Sequence, residues 1–290
     1  MQKFALAAAL LVAAPVLSHA QSEVEWAQTV SIPKGAHVPR EQADLIGIEI
    51  GDTYAEAKAK LAKLFEEGVQ PRQVKLPVPP FTASPAIPVK EEVSRFNLQM
   101  PGTSQILTAR YVAELKMERQ TKGSGARPVD EAIKVYLSSP ASGHQVLGVE
   151  RNIRYNNEND QPRIPDVIAL VNAKLQGTPF VEMHSESVEY KYQFDNGKLI
   201  SPPKAPHVLC TPKHTVSDTR SLPLVNKSGD CDALLWVKIG FGLSRDHAKY
   251  IDFVLSDNDR VKANLTADFT FVENYVRGKQ ERTRGAPPKL

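Results

Sequence analysis

Ser187-Val188-Glu189-Tyr190-Lys191-Tyr192-Gln193-Phe194, followed at once by Asp195-Asn196-Gly197, is the stretch on which the fold turns. Its side chains alternate, with Tyr190, Tyr192 and Phe194 on one side, as in a strand with two unlike faces. The Asn-Gly pair predicts a tight hairpin turn. The same alternation recurs upstream in Val93 to Leu98, Glu131 to Leu137 and Val146 to Tyr155. It is longest in Ile106 to Met117, where Leu107, Ala109, Tyr111, Ala113, Leu115 and Met117 fall on one side. Downstream, Ala233 to Leu243 and Tyr250 to Leu255 read as two more strands.

Three segments carry helical spacing instead. Thr53 and Glu56 form a capping box ahead of the stripe Tyr54, Ala57, Leu61, Leu64 and Phe65, and Gly68 ends that helix. Pro165 to about Gln176 forms a second, with Ile164, Val167, Ile168, Val171 and Leu175 on one face and Gly177 as terminator. Asp259 to about Lys279 forms the third, through Val261, Leu265, Phe269, Val272 and Val276. Strands outnumber helices and do not alternate with them one for one. The expected class is therefore α+β, an antiparallel sheet with two or three amphipathic helices on one face.

Around this core the chain divides unevenly. Residues 1–20 read as a signal peptide: Lys3, an apolar run from Phe4 to Leu17, and Ser18-His19-Ala20 as the cleavage site. That run is too short for a permanent membrane anchor, and no cysteine follows the cut to carry lipid. Residues 21–44 form an extended leader, 45–279 the α+β domain with a division near 156–162, and 280–290 a basic disordered tail. Six prolines between Pro71 and Pro88 exclude helix and central strand, making that stretch a surface connection. The expected location is periplasmic or secreted.

Loss of Lys3 with the signal takes the formal charge from +3 to +2, which gives no support to nucleic-acid binding. Export also bears on Cys210 and Cys231, the two cysteines. In an oxidising compartment they are expected to form one disulfide, worth roughly 3 kcal/mol by closing the loop between them. The rival is a zinc set of His207, Cys210, His214 and Cys231, whose spacing fits no standard motif.

Ile48-Glu49-Ile50-Gly51-Asp52-Thr53-Tyr54-Ala55-Glu56-Ala57 resembles the glycine, threonine and helix opening of the SmpA/OmlA-like outer-membrane assembly lipoproteins. Their helix-then-strands plan is shared by the beta-lactamase-inhibitor-protein-like folds. Leu175-Gln176-Gly177-Thr178-Pro179, with the strand and hairpin after it, looks like a second copy of that plan. The resemblance implies tandem helix-plus-sheet units that act by binding proteins rather than by catalysis.

Catalytic motifs fail individually. Ser201-Pro202-Pro203-Lys204, Ser217-Asp218-Thr219 and Lys227-Ser228-Gly229 echo the penicillin-recognising motifs but crowd into one proline-rich loop. No Gly-x-Ser-x-Gly elbow, phosphate loop or dinucleotide fingerprint exists. Asp257 and Asp259 read as helix-start charges favoured by the dipole. Tyr190 and Tyr192 are either core or, if they face water, a contact surface. The expectation is thus a non-enzymatic exported protein, with no cofactor or metal, that binds a protein or envelope polymer through its sheet or proline-rich loop. Two alternatives stand beside it: an envelope hydrolase using a loop histidine, His247 or His214, and a small-ligand or metal carrier.

Overall fold

A computed structural model of the protein describes residues 24–68, 88–99, 106–123, 129–200, 202 and 231–283. The signal segment, the proline-rich stretch 71–87, Cys210, His207 and His214 lie outside the described residues.

The compact unit opens with β1 (Asp44–Leu45) and β2 (Ile48–Glu49), paired across Ile46 and Gly47. Both turn residues have positive φ, 51° and 82°, which suits the twist of a two-residue hairpin. Gly51 follows at φ 87°, and a Cβ there would sit 3.1 Å from the Lys34 side chain and 3.3 Å from that of Arg260. Glycine is needed at that position for both backbone and space. α1 (Tyr54–Glu66) then starts from the expected capping box: Glu56 N donates to Thr53 Oγ1 and Thr53 N donates to Glu56 Oε2. A cap of this kind stabilises a helix by about 1 kcal/mol.

From α1 the chain enters a four-strand meander: β3 (Lys90–Gln99), β4 (Ile106–Thr121), β5 (Val129–Leu137) and β6 (Val146–Tyr155). α2 (Ile164–Leu175) opens a second round, β7 (Phe180–Met183), β8 (Ser187–Asp195), β9 (Lys198–Ile200), β10 (Ala233–Phe241) and β11 (Ala248–Asp257). β9 is the short return of the Asn196-Gly197 hairpin, whose two turn residues have φ 49° and 69°. The two rounds meet through their last strands. β6 pairs with β11, giving one antiparallel sheet in the order β3-β4-β5-β6-β11-β10-β8-β7, with β9 beside β8. The division expected near 156–162 falls between the rounds, at the 3₁₀ turn Glu158–Asp160, yet the sheet is continuous across it.

α1 and α2 bury Ala57, Leu61, Ile164, Ile168 and Leu175 in the same cluster as one parity of the strands, including Leu115, Val135, Val149, Leu235 and Leu255. That parity is the covered face. α2 ends on Gln176 in the left-handed region, φ 52°, one residue before the expected glycine. The antiparallel α+β class holds, and no helix among the described residues is long and apolar enough to cross a membrane.

β11 runs directly into α3 (Asn258–Thr283), which extends into the first residues of the expected tail. Asp257 caps it, accepting from Arg260 N at 2.8 Å, in keeping with the reading of Asp257 as a helix-start charge. The stretch expected to be a leader is extended but tightly held. Val24, Val38 and Ala43 are buried, and Trp26 stacks on Phe271 of α3 at 4.5 Å. Arg260, 1% exposed, fastens this strap: its guanidinium donates to the carbonyls of Ile32 (3.1 Å) and Pro33 (2.8 Å), to Gln145 Oε1 (2.8 Å) and to Asp257. Buried Asp52 adds a second fastening, accepting from Lys34 and Lys60, both at 2.6 Å. Burial opposes its charge, but these lysines and the Glu49 amide outweigh that and hold its pKa down.

Candidate functional site

Strand parity places Tyr190 and Tyr192 beneath α2. Tyr192 is fully buried and its hydroxyl donates to Asn172 Oδ1 at 2.8 Å, while Tyr190 is half-buried against the same core. The water-facing surface considered for this pair is therefore corrected: both belong to the covered face, because α2 lies over their side of β8. The opposite parity of β8, Glu189 and Lys191, belongs to the open face.

That open face is ordered in rows set by register. Lys90, Lys116 and Lys134 stand side by side on β3, β4 and β5. The row continues through Glu150, Val254 and Trp236 to Lys191. The next row reads Glu118, Ala132, Asn152, Asp252, Lys238, Glu189 and Glu182. Lysines directly opposite one another repel. Neighbouring carboxylates offset this: Lys116 pairs with Glu92 and Glu114, and Lys134 with Glu150 at 3.8 Å. Exposed pairs of this kind are screened by solvent, so they leave a patterned surface rather than a strong brace.

Aromatic rings interrupt the charges. Trp236 is half-buried, with Lys238 Nζ 6.0 Å from its ring centre, and Arg154 lies 5.7 Å from that of Tyr250. Tyr250 lies flat across Gly240, where a Cβ would come within 1.9 Å of the ring. Asp252 sits in the middle of the face. Burial raises its pKa, against the opposing pull of Arg154 and a hydrogen bond from Asn152.

At the β7 edge, Glu182, His184 and Glu189 bring one ligand atom each within 4.8 Å of one another. Glu182 and Glu189 are direct cross-strand partners, and His184 Nε2 lies 3.6 Å from Glu189 Oε1. Trp236 Nε1 donates to Glu189 Oε2 at 3.1 Å. Lys191 Nζ approaches Glu182 at 2.8 Å and Glu189 at 3.7 Å, while Lys238 Nζ lies 3.4 Å from Glu189.

The remaining sequence candidates are dispersed. His247 lies in the turn between β10 and β11, tied through its backbone to Ser244, Gly242 and Arg163. Asp246 beside it is exposed. Of the thiol and zinc candidates only Cys231 is described, buried next to Leu234 and Trp236, and no described cysteine is free. His37, which no local sequence pattern singles out, places its Nδ1 2.8 and 3.0 Å from the Asp257 carboxylate oxygens. That contact holds the imidazole pKa up. Asp257 also takes the Arg260 amide and guanidinium, so this arrangement serves the strap. No known protein family, curated protein or solved structure matches this chain.

Proposed function

We propose that this is an exported, non-enzymatic bacterial envelope protein that binds a macromolecular partner, a protein or an envelope polymer, through the open face of its sheet. The observation that carries the reading is the rowed surface containing Trp236, with a lysine row at one end, acidic residues toward the other, and α1 and α2 confined to the opposite side. A broad, charge-bearing sheet face with a half-buried aromatic among its charges suits recognition of a large partner better than enclosure of a small substrate. The signal-like segment 1–20 supports export. The helix-then-strands likeness to the SmpA/OmlA-like and beta-lactamase-inhibitor-protein-like folds supports binding rather than turnover. The proline-rich stretch is no longer needed as the contact.

Capture from envelope extract, compared between wild type and Trp236→Ala or the pair Lys116→Glu/Lys134→Glu, tests this. A partner held by the face should lose affinity by about 30-fold on removal of a central tryptophan. Equal capture by all three proteins sinks the reading. A hydrolase would instead show turnover abolished by His247→Ala with the fold intact.

A further inference from the structure

We propose that Glu182, His184 and Glu189 form a binding site for a divalent transition-metal ion of the Zn²⁺ kind at the β7 rim of the open face. The inference stands on the hairpin's own geometry and does not depend on the partner reading. Glu182 lies on β7, His184 is the first residue past its end, and Glu189 stands opposite Glu182 in register, so that one ligand atom from each falls within 4.8 Å of the others. The hairpin that carries them is closed by His184 N donating to Ser187 O at 2.8 Å. The three donors therefore arrive on a fixed frame.

The spacing between His184 and Glu189 fits a shared ion better than it fits a hydrogen bond. His184 Nε2 to Glu189 Oε1, at 3.6 Å, is too long for a hydrogen bond. Ligands about 2.1 Å from a tetrahedral ion stand about 3.4 Å apart, close to that gap. One imidazole and two carboxylates suit Zn²⁺, with water completing the shell. Two carboxylates directly opposite on a sheet also repel unless a cation lies between them. Lys191 and Lys238 fill that role through their ammonium groups, at 2.8 to 3.7 Å. An arriving ion replaces the ammoniums, which swing toward water on flexible stems. The lysines are the ion's competitors and set its affinity.

Calorimetric titration of the full chain with ZnCl₂ should give one saturable site. His184→Ala and Glu189→Gln should each weaken it by at least about tenfold. Lys191→Met should tighten it by removing a competing charge. CuCl₂ should quench Trp236 fluorescence, because its indole shares Glu189, and Trp236→Phe should abolish that quenching while ZnCl₂ still binds. No saturable binding below about 100 μM, a range that a single imidazole with carboxylates should exceed, overturns the site. So does binding that His184→Ala and Glu189→Gln leave unchanged. A purified chain that captures no envelope partner bears only on the preceding proposal.

Discussion

Replacing Asp268 by Asn should flatten the dependence of this protein's stability on pH. Asp268 lies on α3, 8% exposed, and accepts a hydrogen bond from Ser139 Oγ at the 3₁₀ turn Pro140–Ser142. Around it, Asn264 accepts from Ser139 N (3.0 Å) and Ser142 Oγ (2.7 Å), so the helix is stitched to the turn by buried polar contacts. Burial pushes the Asp268 carboxyl up to about 6 from its ordinary 3.8, and the Ser139 bond only partly opposes this. A carboxyl with a raised folded-state pKa favours the fold when protonated. Its contribution is fully present below pH 3.8 and is lost as pH rises through about 6. A shift of this size corresponds to roughly 2 to 3 kcal/mol lost between pH 4 and pH 8. In a domain this large, that lowers the thermal midpoint by about 5 to 10 °C. Asp268→Asn keeps the acceptor oxygen for Ser139 and carries no charge. His37, Asp232 and Asp252 also have raised pKa values and act in the same direction, so the wild type alone does not isolate the effect. The quantity to measure is the midpoint of Asp268→Asn minus that of wild type, by calorimetry, at pH 4 and at pH 8. The difference should grow toward pH 8 by the amount above. A difference that is the same at both pH values refutes the reasoning.

Gln193 should be better replaced than kept. It is fully buried on β8 and neither amide atom has a hydrogen-bond partner among the described residues, so Gln193→Met should stabilise the fold by about 1 to 3 kcal/mol, read as a higher urea midpoint at unchanged slope. A loss of stability instead would show that the amide is satisfied by a bound molecule. Mass spectrometry of unreduced, unfolded protein should find Cys210 and Cys231 two hydrogens lighter than the dithiol and inert to alkylation. Two alkylated thiols would return the zinc set His207, Cys210, His214 and Cys231 to consideration.

The sheet was legible because alternation survives in the strands even where single residues do not fit. Ile106 to Met117 and Ser187 to Phe194 both form strands, but the single face expected for the first is broken where the register steps from Glu114 to Val112: Leu115 and Met117 join the main core with Val112, while Ala109 packs in the cluster around Phe271. Thr53 and Glu56 announced α1 through chemistry three residues apart, and Asn196-Gly197 announced the β8–β9 turn in the same local way. The strap was not legible, since an extended segment held by backbone carbonyls carries no period. Its fastener, Arg260, lies 228 residues from Ile32 in sequence and reads there as one more surface charge on a helix. The open face was hidden for a related reason. Lys90, Lys116 and Lys134 become neighbours only when register is known, and no local window contains two of them.

Strand parity explains why Tyr190 and Tyr192 drew attention and why the contact surface lies elsewhere. Alternation divides β8 into Val188, Tyr190, Tyr192 and Phe194 on one side, and Glu189, Lys191 and Gln193 on the other. It does not say which side a helix covers. α2 decides that, because its apolar stripe must meet an apolar layer, and the tyrosine side is the only one of the two that offers it. The charged side lies away from α2, where Glu189 is buried among its ion-pair partners, Lys191 is partly covered, and Gln193, at the Cys231 end, is fully buried. In a sheet with helices on one face, aromatic residues that share a parity with valine and phenylalanine belong under the helix. A contact anchor is the aromatic that shares its parity with the charges. Trp236 meets that condition: it stands opposite Lys191, next to Lys238 and hydrogen-bonded to Glu189.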